Sequence, residues 1–355
     1  MIVSYYFPPS TNIGGKRWSK LIIYLDKLGY NIILLTSKPK KNIIPKRNCK
    51  FYEGVKKVEY FNTFYPDILN QRPRSLIDHI RYKFSLLFLK IFTDNNYYDK
   101  TNLIKNHFLK RASKIISQEN INTLIISGAP FSLLYYGTIL KRNFQLNLVS
   151  DLRDPWTWGN GYGMSLLAKN RKLKEYFFEN QVLKYSDLIT VPVYPMYHHL
   201  VESYNIKKDK IKILPHGYDN SDFNKINFNY RRPNKNLKII YGGTIYANLD
   251  HSFNSFYKTI KDNLNSDFTF EFYTNDIKYF SKSEINELQE KVLINKLIPM
   301  NEFMKKVYLA DFFLLIYPDD VKDFLSSKFY EIIFCKTPII FVGSSGLVSN
   351  FIVEN

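Results

Sequence analysis

Short apolar runs recur along the chain, separated by longer segments with helical spacing. In the first half the runs are IVSYYF (2–7), NIILLT (31–36), TLIIS (123–127), LNLVSD (146–151), LITVP (188–192) and IKILP (211–215). They are continuous rather than alternating, the pattern of strands covered on both faces of a parallel sheet. The segments between them suit crossover helices. One of these, KRWSKLIIYLDKLGY (16–30), carries apolar residues at 18, 21, 22, 25 and 28, and Gly29 is placed to stop it.

The polar, turn-rich stretch 217–236 breaks this rhythm and is expected to be a linker. A second alternation follows, with apolar runs LKIIYGG (237–243), FTFEFYT (268–274), KVLI (291–294), DFFLLIYP (311–318) and TPIIFVG (337–343). The predicted fold is α/β, with two Rossmann-like domains in tandem over 1–216 and 237–355 and a cleft where the carboxyl ends of their strands face each other. Two features fit the sheet pattern less well. From Lys38 to Lys57 eight basic residues face the single acid Glu53, and SLIDHIRYKFSLLFLKIF (75–92) predicts an amphipathic helix with a broad apolar face. That helix either faces the core beside a solvated basic loop or forms a surface for anionic lipid.

Composition narrows the partners. The chain has 355 residues, with 50 Lys+Arg against 32 Asp+Glu and a net charge of +18, which favours phosphorylated substrates, anionic lipid or polyanions. No nucleic-acid motif accompanies that charge, so nucleic acid is not an expected partner. Cys49 and Cys335 lack pairing or metal spacing, and the adjacent His198 and His199 make no chelate, so neither a disulfide nor a metal is expected. The opening MIVSYYFPPS lacks the pattern of a secretory signal, and no run approaches the ~20 apolar residues of a membrane span. A cytoplasmic location is expected, with peripheral contact at the inner face of the cell membrane as an open alternative.

Candidate chemistry gathers where the runs end. Gly14-Gly15 follows the first run and precedes the first helix, where free amides favour an anion. This is not the Gly-x-Gly-x-x-Gly fingerprint, and no acid closes the second run, which disfavours a nicotinamide dehydrogenase. The run 146–151 leads into SDLRDPWTWGNGYG, where Asp151, Arg153, Asp154, Trp156 and Trp158 offer a sugar both carboxylates and aromatic faces. In the second half YGGTIY (241–246) repeats the glycine turn with Gly243 and Thr244. The last unit holds FLSSKFYEIIFCKTPIIF (324–341), in which Ser326 or Ser327 can cap a helix. Lys328 then sits in the first turn, where a cation opposes the helix dipole unless an anion is bound there, with Glu331 one turn on.

In their order and spacing these segments resemble the GT-B glycosyltransferases, and within them glycosyltransferase family 4 of the retaining, Glu-x7-Glu type. The resemblance runs from YYFPPSTNIGGKRWSK through SDLRDPW and KYSDLITV to SSKFYEIIFCKTPIIF, with Asp323 where that signature has its first Glu. It implies that the first domain serves the acceptor and the second the nucleotide sugar, and that sugar moves with retention from a nucleotide diphosphate donor without a metal. By position, Glu331 would hold the ribose and Lys328 the diphosphate, aided by Ser327, Gly243 and Thr244. Asp323 would contact the donor sugar, Asp154 would face the reacting sugar, Gly14 and Gly15 would border the diphosphate and acceptor, and the backbone at Leu297 and Ile298 would meet the base. Against that family the chain is expected to be short at its C-terminal end. The implied role is bacterial surface polysaccharide synthesis, such as capsule or lipopolysaccharide, with a glycan or lipid-diphosphate-linked acceptor. A non-catalytic nucleotide-sugar-binding relative is the alternative, and the similarly shaped nucleotide sugar epimerases are a further one.

Overall fold

The computed structural model describes residues 1–10, 13–39, 52–70, 73–159, 163–220, 223, 236–245, 249–262, 267–275, 291–317 and 322–354. Most of the basic stretch 38–57, including Cys49, and most of 217–236 lie outside these residues. The chain divides into two compact units, Met1–Pro215 and His216–Asn355.

The first unit is built on a parallel sheet of β1 (Ile2–Ser4), β2 (Ile33–Ser37), β3 (Lys57–Phe61), β4 (Thr123–Gly128), β5 (Asn147–Leu152), β6 (Leu188–Val191) and β7 (Ile211–Ile213). The strands lie in the order β3-β2-β1-β4-β5-β6-β7, so the winding reverses between β1 and β4. Helix α1 (Ile13–Lys27) buries Trp18 and Ile22, while Leu28, expected on the same face, is exposed. The helix ends as its glycine predicts. Gly29 takes φ +86°, donating to Asp26 O while Tyr30 donates to Leu25 O, the paired bonds of a Schellman stop.

The strand β3 was not anticipated. Its sequence KVEYF alternates, and only Phe61 is fully buried, as suits an edge strand with one face toward the core. The predicted helix at 75–92 forms as α2 (Leu76–Phe92), started by a capping box in which Ser75 Oγ accepts from Asp78 N and Asp78 accepts from Ser75 N. Of its residues only Leu89 is fully buried.

The second unit has β8 (Leu237–Gly242), β9 (Phe268–Tyr273), β10 (Val292–Asn295), β11 (Phe312–Ile316) and β12 (Ile339–Val342) in the order β10-β9-β8-β11-β12, all parallel. Its winding reverses between β8 and β11. Both units therefore have the α/β, Rossmann-like form predicted from the apolar runs. Among the described residues no helix is long and apolar enough to cross a membrane.

The carboxyl end of the first sheet is organised by Asp151, at the end of β5 and inaccessible to water. Its carboxylate accepts from Trp18 Nε1 at 2.7 Å, Thr190 Oγ1 at 2.8 Å, Ser127 Oγ at 2.9 Å and Arg17 Nη2 at 3.3 Å. Arg17 also donates to Leu214 O at 2.6 Å and Pro215 O at 3.0 Å, which ties α1 to the end of the unit. Replacing Asp151 with Ala takes the carboxylate counter-charge from the buried Arg17 and an acceptor from three further buried donors. The expected loss is about 3–5 kcal/mol in urea unfolding, against about 1 kcal/mol for Thr190→Val, which removes one hydrogen bond. Similar losses in the two variants would show that the carboxylate is not the organising group.

Candidate functional site

In a parallel sheet all loops following strands emerge at one end, and the reversal of winding opens a crevice there. The first unit brings several predicted residues to that end. Gly14 stands against Arg153, so that a Cβ at 14 would lie 2.6 Å from the guanidinium Nη1. Arg153 Nη2 also donates to Ala129 O, beyond β4, at 2.8 Å. The start of α1 and the end of β5 therefore meet at a partly buried cation, and Asp154 beside it is partly exposed. Gly15 has a different surrounding. A Cβ there would lie 2.9 Å from backbone atoms of Tyr6 and Phe7, so glycine is required for the helix to approach the strand end.

Two members of the sugar-like cluster are corrected by the structure. Asp151 is consumed by internal donors, as described above. Trp156 is 1% exposed, stacked on Phe131 at 5.0 Å, and donates from Nε1 to Glu175 at 2.9 Å. Both are enclosed by neighbouring elements: the end of β5 is covered on both faces, with Ser150, Asp151 and Leu152 all buried, and Trp156 is held between Phe131 and Glu175. Glu175 and Glu179 belong to that interior as well. Burial pushes both carboxyls up, and their partners are Arg171, Asn96 and Trp156 for one and Thr157 and Tyr204 for the other. Trp158 is partly exposed, 4.1 Å from the His199 ring.

The second unit assembles the more distinctive constellation. β8 and β11 are adjacent and parallel, so the turn after β8 and the helix α3 (Ser327–Cys335) after β11 share the switch-point end. Ser326 is the cap of that helix, its side chain accepting from Phe329 N at 3.3 Å, and Ser326 N donates to the Tyr317 hydroxyl at 2.8 Å. The side chain of Ser327 lies outside the described set. Phe329, Ile332 and Cys335 bury one face of the helix in the core of the unit. Cys335 has its thiol pushed up to about 12 by burial, with Glu331 adding to the effect.

Lys328 emerges from the first turn of α3, partly buried, and lies over the Tyr241 ring with its Nζ 5.2 Å from the centroid. Gly243, at φ +128°, leaves the space for it: a Cβ there would sit 2.4 Å from Lys328 Nζ. Desolvation lowers the lysine to about 8, and the buried Glu331 pulls it back upward. A partly dehydrated cation in the first turn of a helix can accept an anion such as a phosphate.

The other predicted residues lie around the same unit with varied exposure. Thr244 is exposed, and its carbonyl accepts from the Tyr241 hydroxyl at 3.0 Å. Asp323 is exposed on the segment before the cap. That segment is fixed from behind, since Leu347 N donates to Lys322 O at 2.9 Å and a Cβ on Gly346 would lie 2.4 Å from the same oxygen. Leu297 is exposed, with its N–H 3.5 Å from Asn275 Oδ1, while Ile298 packs partly into the core. Sequence reasoning missed Tyr241 and Tyr317 as the supports of Lys328 and Ser326. The placement of Tyr241 directly before the glycine pair was an available signal for the first. Among the described residues no group of three His, Cys, Asp or Glu is arranged to hold a metal.

No family model and no curated protein matches the chain. Solved structures do. A glycosyltransferase from Rickettsia africae is similar with a TM-score of 0.59 at 13% identity, covering 98% of this chain and 80% of its own. An Anabaena protein in complex with UDP is similar at 0.54 and 9%, covering 99% and 88%. A candidate UDP-N-acetylglucosamine 2-epimerase from Listeria monocytogenes is similar at 0.55 and 9%, covering 99% and 81%. At these identities the likeness establishes the fold, the GT-B form expected from the sequence.

A lysine with a depressed folded pKa is disfavoured in its charged form. The penalty is full below about 8 and disappears as pH rises to the ordinary 10.5, where the unfolded chain also gives up the proton. Lys328→Met is therefore expected to stabilise the protein near neutral pH by on the order of 1–3 kcal/mol, a gain that shrinks above pH 8. Urea midpoints measured across that range check it, and a destabilised variant would show that the cation is well paired in the fold.

Proposed function

We propose that the chain is a retaining glycosyltransferase of family 4 type, which takes a sugar from a nucleotide diphosphate donor and places it on a glycan or lipid-diphosphate-linked acceptor in bacterial surface polysaccharide synthesis. The observation that carries this reading is Lys328: a partly buried, desolvated cation at the start of a capped helix, beside a glycine that clears its space, at the switch point of a parallel sheet. The UDP in the Anabaena structure supports a nucleotide donor by analogy of fold.

In this reading Lys328 and the amides of α3 meet the diphosphate, with Ser327, Gly243 and Thr244 around it. Glu331 accepts from the ribose hydroxyls, and the backbone at Leu297 and Ile298 meets the base. Asp323 contacts the donor sugar. Negative charge grows on the diphosphate as its bond to the sugar breaks. A cation already dehydrated and fixed in place stabilises that charge without first reorganising water. No protein nucleophile and no metal are required.

The full chain, given a panel of nucleotide sugars with lipid-linked acceptors, should release nucleoside diphosphate. Because a bound diphosphate raises the pKa of Lys328, its binding takes up a proton above pH 8, and affinity should fall as pH rises through about 8. Lys328→Ala should flatten that dependence and weaken nucleoside diphosphate far more than nucleoside, whereas Glu331→Ala should weaken both. Donor binding without turnover would move the chain to the non-catalytic alternative. Interconversion of UDP-sugars without transfer would make it an epimerase. Absence of any donor binding, by calorimetry or thermal shift, would overturn the reading altogether.

A further inference from the structure

Helix α2 is amphipathic in the unusual sense, with its apolar side turned outward. Tyr82, Ser85, Leu86 and Leu89 are the residues at least partly covered along its middle. Leu76, Ile80, Phe84, Leu87 and Ile91 fall within an arc of about 80° at 100° per residue, on the side away from those four. All five are exposed, Leu76 to 84%, Phe84 to 70% and Ile91 to 64%. Ile77, Phe88 and Phe92 widen the stripe, with the Phe88 and Phe92 rings in contact at 4.5 Å between centroids. A helix on a water-facing surface ordinarily shows the reverse pattern. Isolated surface hydrophobes need no explanation, but a continuous stripe of them marks an interaction surface.

The charges beside the stripe say what covers it. His79, Arg81, Lys83 and Lys90 are all exposed on the helix. The only acid on it is Asp78, whose carboxylate already accepts from the backbone at Arg74 and Ser75. Just beyond the helix, Tyr97 and Tyr98 stack at 4.3 Å with Lys90 5.8 Å from the Tyr97 ring, and Lys100 lies 5.0 Å from the Tyr65 ring. Apolar residues flanked by lysines and tyrosines match a bilayer boundary, where hydrocarbon meets anionic headgroups. A second copy fits less well, because two-fold pairing would set this basic rim against itself.

We propose that α2 lies in the plane of an anionic phospholipid surface, with Leu76, Ile80, Phe84, Leu87 and Ile91 among the acyl chains and Arg81, Lys83 and Lys90 at the headgroups. The surface belongs wholly to the first unit and does not depend on the transfer chemistry. The probe is co-sedimentation of the full chain with phosphatidylglycerol/phosphatidylcholine vesicles, against vesicles of phosphatidylcholine alone. Binding to the anionic vesicles should be about tenfold tighter or more, and should weaken at about 0.5 M salt. Ile80→Gln/Phe84→Gln/Ile91→Gln should lose binding by about tenfold or more with no fall in Tm, since these side chains are exposed in the folded state. Lys83→Glu/Lys90→Glu should lose the preference for anionic lipid. Equal vesicle binding by the triple variant and the parent would overturn the proposal. So would a concentration-dependent dimer, abolished by the triple variant, in a parent that does not sediment with vesicles.

Discussion

A carboxylate sealed from water is among the most expensive groups a fold can hold, and Asp151 is tolerated only because four donors converge on it. Those donors come from α1, β4 and β6, so satisfying this one group fixes the helix and three neighbouring strands at the end of the sheet where the loops carry their chemistry. Arg17 extends the same constraint to Leu214 and Pro215. The approach of Gly15 to the backbone of Tyr6 and Phe7, and of Gly14 to Arg153, occurs in loops whose roots are held by this network. The burial of Asp151 is a condition for the strand-end geometry rather than part of any site.

The second unit treats a charge in the opposite way. Lys328 is also withdrawn from water, yet among the described residues its neighbours are an aromatic ring, a glycine and a carboxylate acting through space. Its lowered pKa measures the shortfall. Natural folds keep such local deficits where a ligand makes them good, because the same arrangement optimised for stability would have no affinity left for the ligand. The capped helix and the inward packing of Phe329 and Ile332 hold the lysine in place from below, so the deficit is not relieved by movement of the helix.

Most of this was legible in the sequence where burial on two faces writes continuous apolar runs. The strands of both sheets, the stop at Gly29 and the helix at 75–92 followed from that pattern and from glycine and capping chemistry. The edge strand Lys57–Phe61 was missed because a half-exposed strand alternates, and its lysine merged with the preceding basic run. The direction of α2 was undecidable, since periodicity shows that a helix has an apolar face but not whether the protein covers it. Asp151 and Trp156 misled for a related reason. In SDLRDPW they stand two residues from the partly exposed Arg153 and Asp154, and the partners that enclose them, Trp18, Thr190, Phe131 and Glu175, are distant in sequence. The misfit of Lys328 with the helix dipole, by contrast, was readable from Ser326 and two charged positions alone, because it concerns a local field rather than a long-range contact.

Net charge is the feature that sequence reads most easily and interprets least. The excess of +18 would suit a diphosphate, a lipid surface or both. Position separates the cations into two physical classes. Arg81, Lys83 and Lys90 stand in water on α2, where salt at about 0.15 M limits their reach to roughly 8 Å and their effect is collective. Lys328 is partly buried against Tyr241, where screening is weaker and one charge in a fixed place acts alone. The first class suits attraction to a diffuse anionic surface, and the second suits discrimination of one phosphate group from its surroundings. A single chain can therefore use the same excess charge for two recognitions, one sensitive to ionic strength and the other to pH.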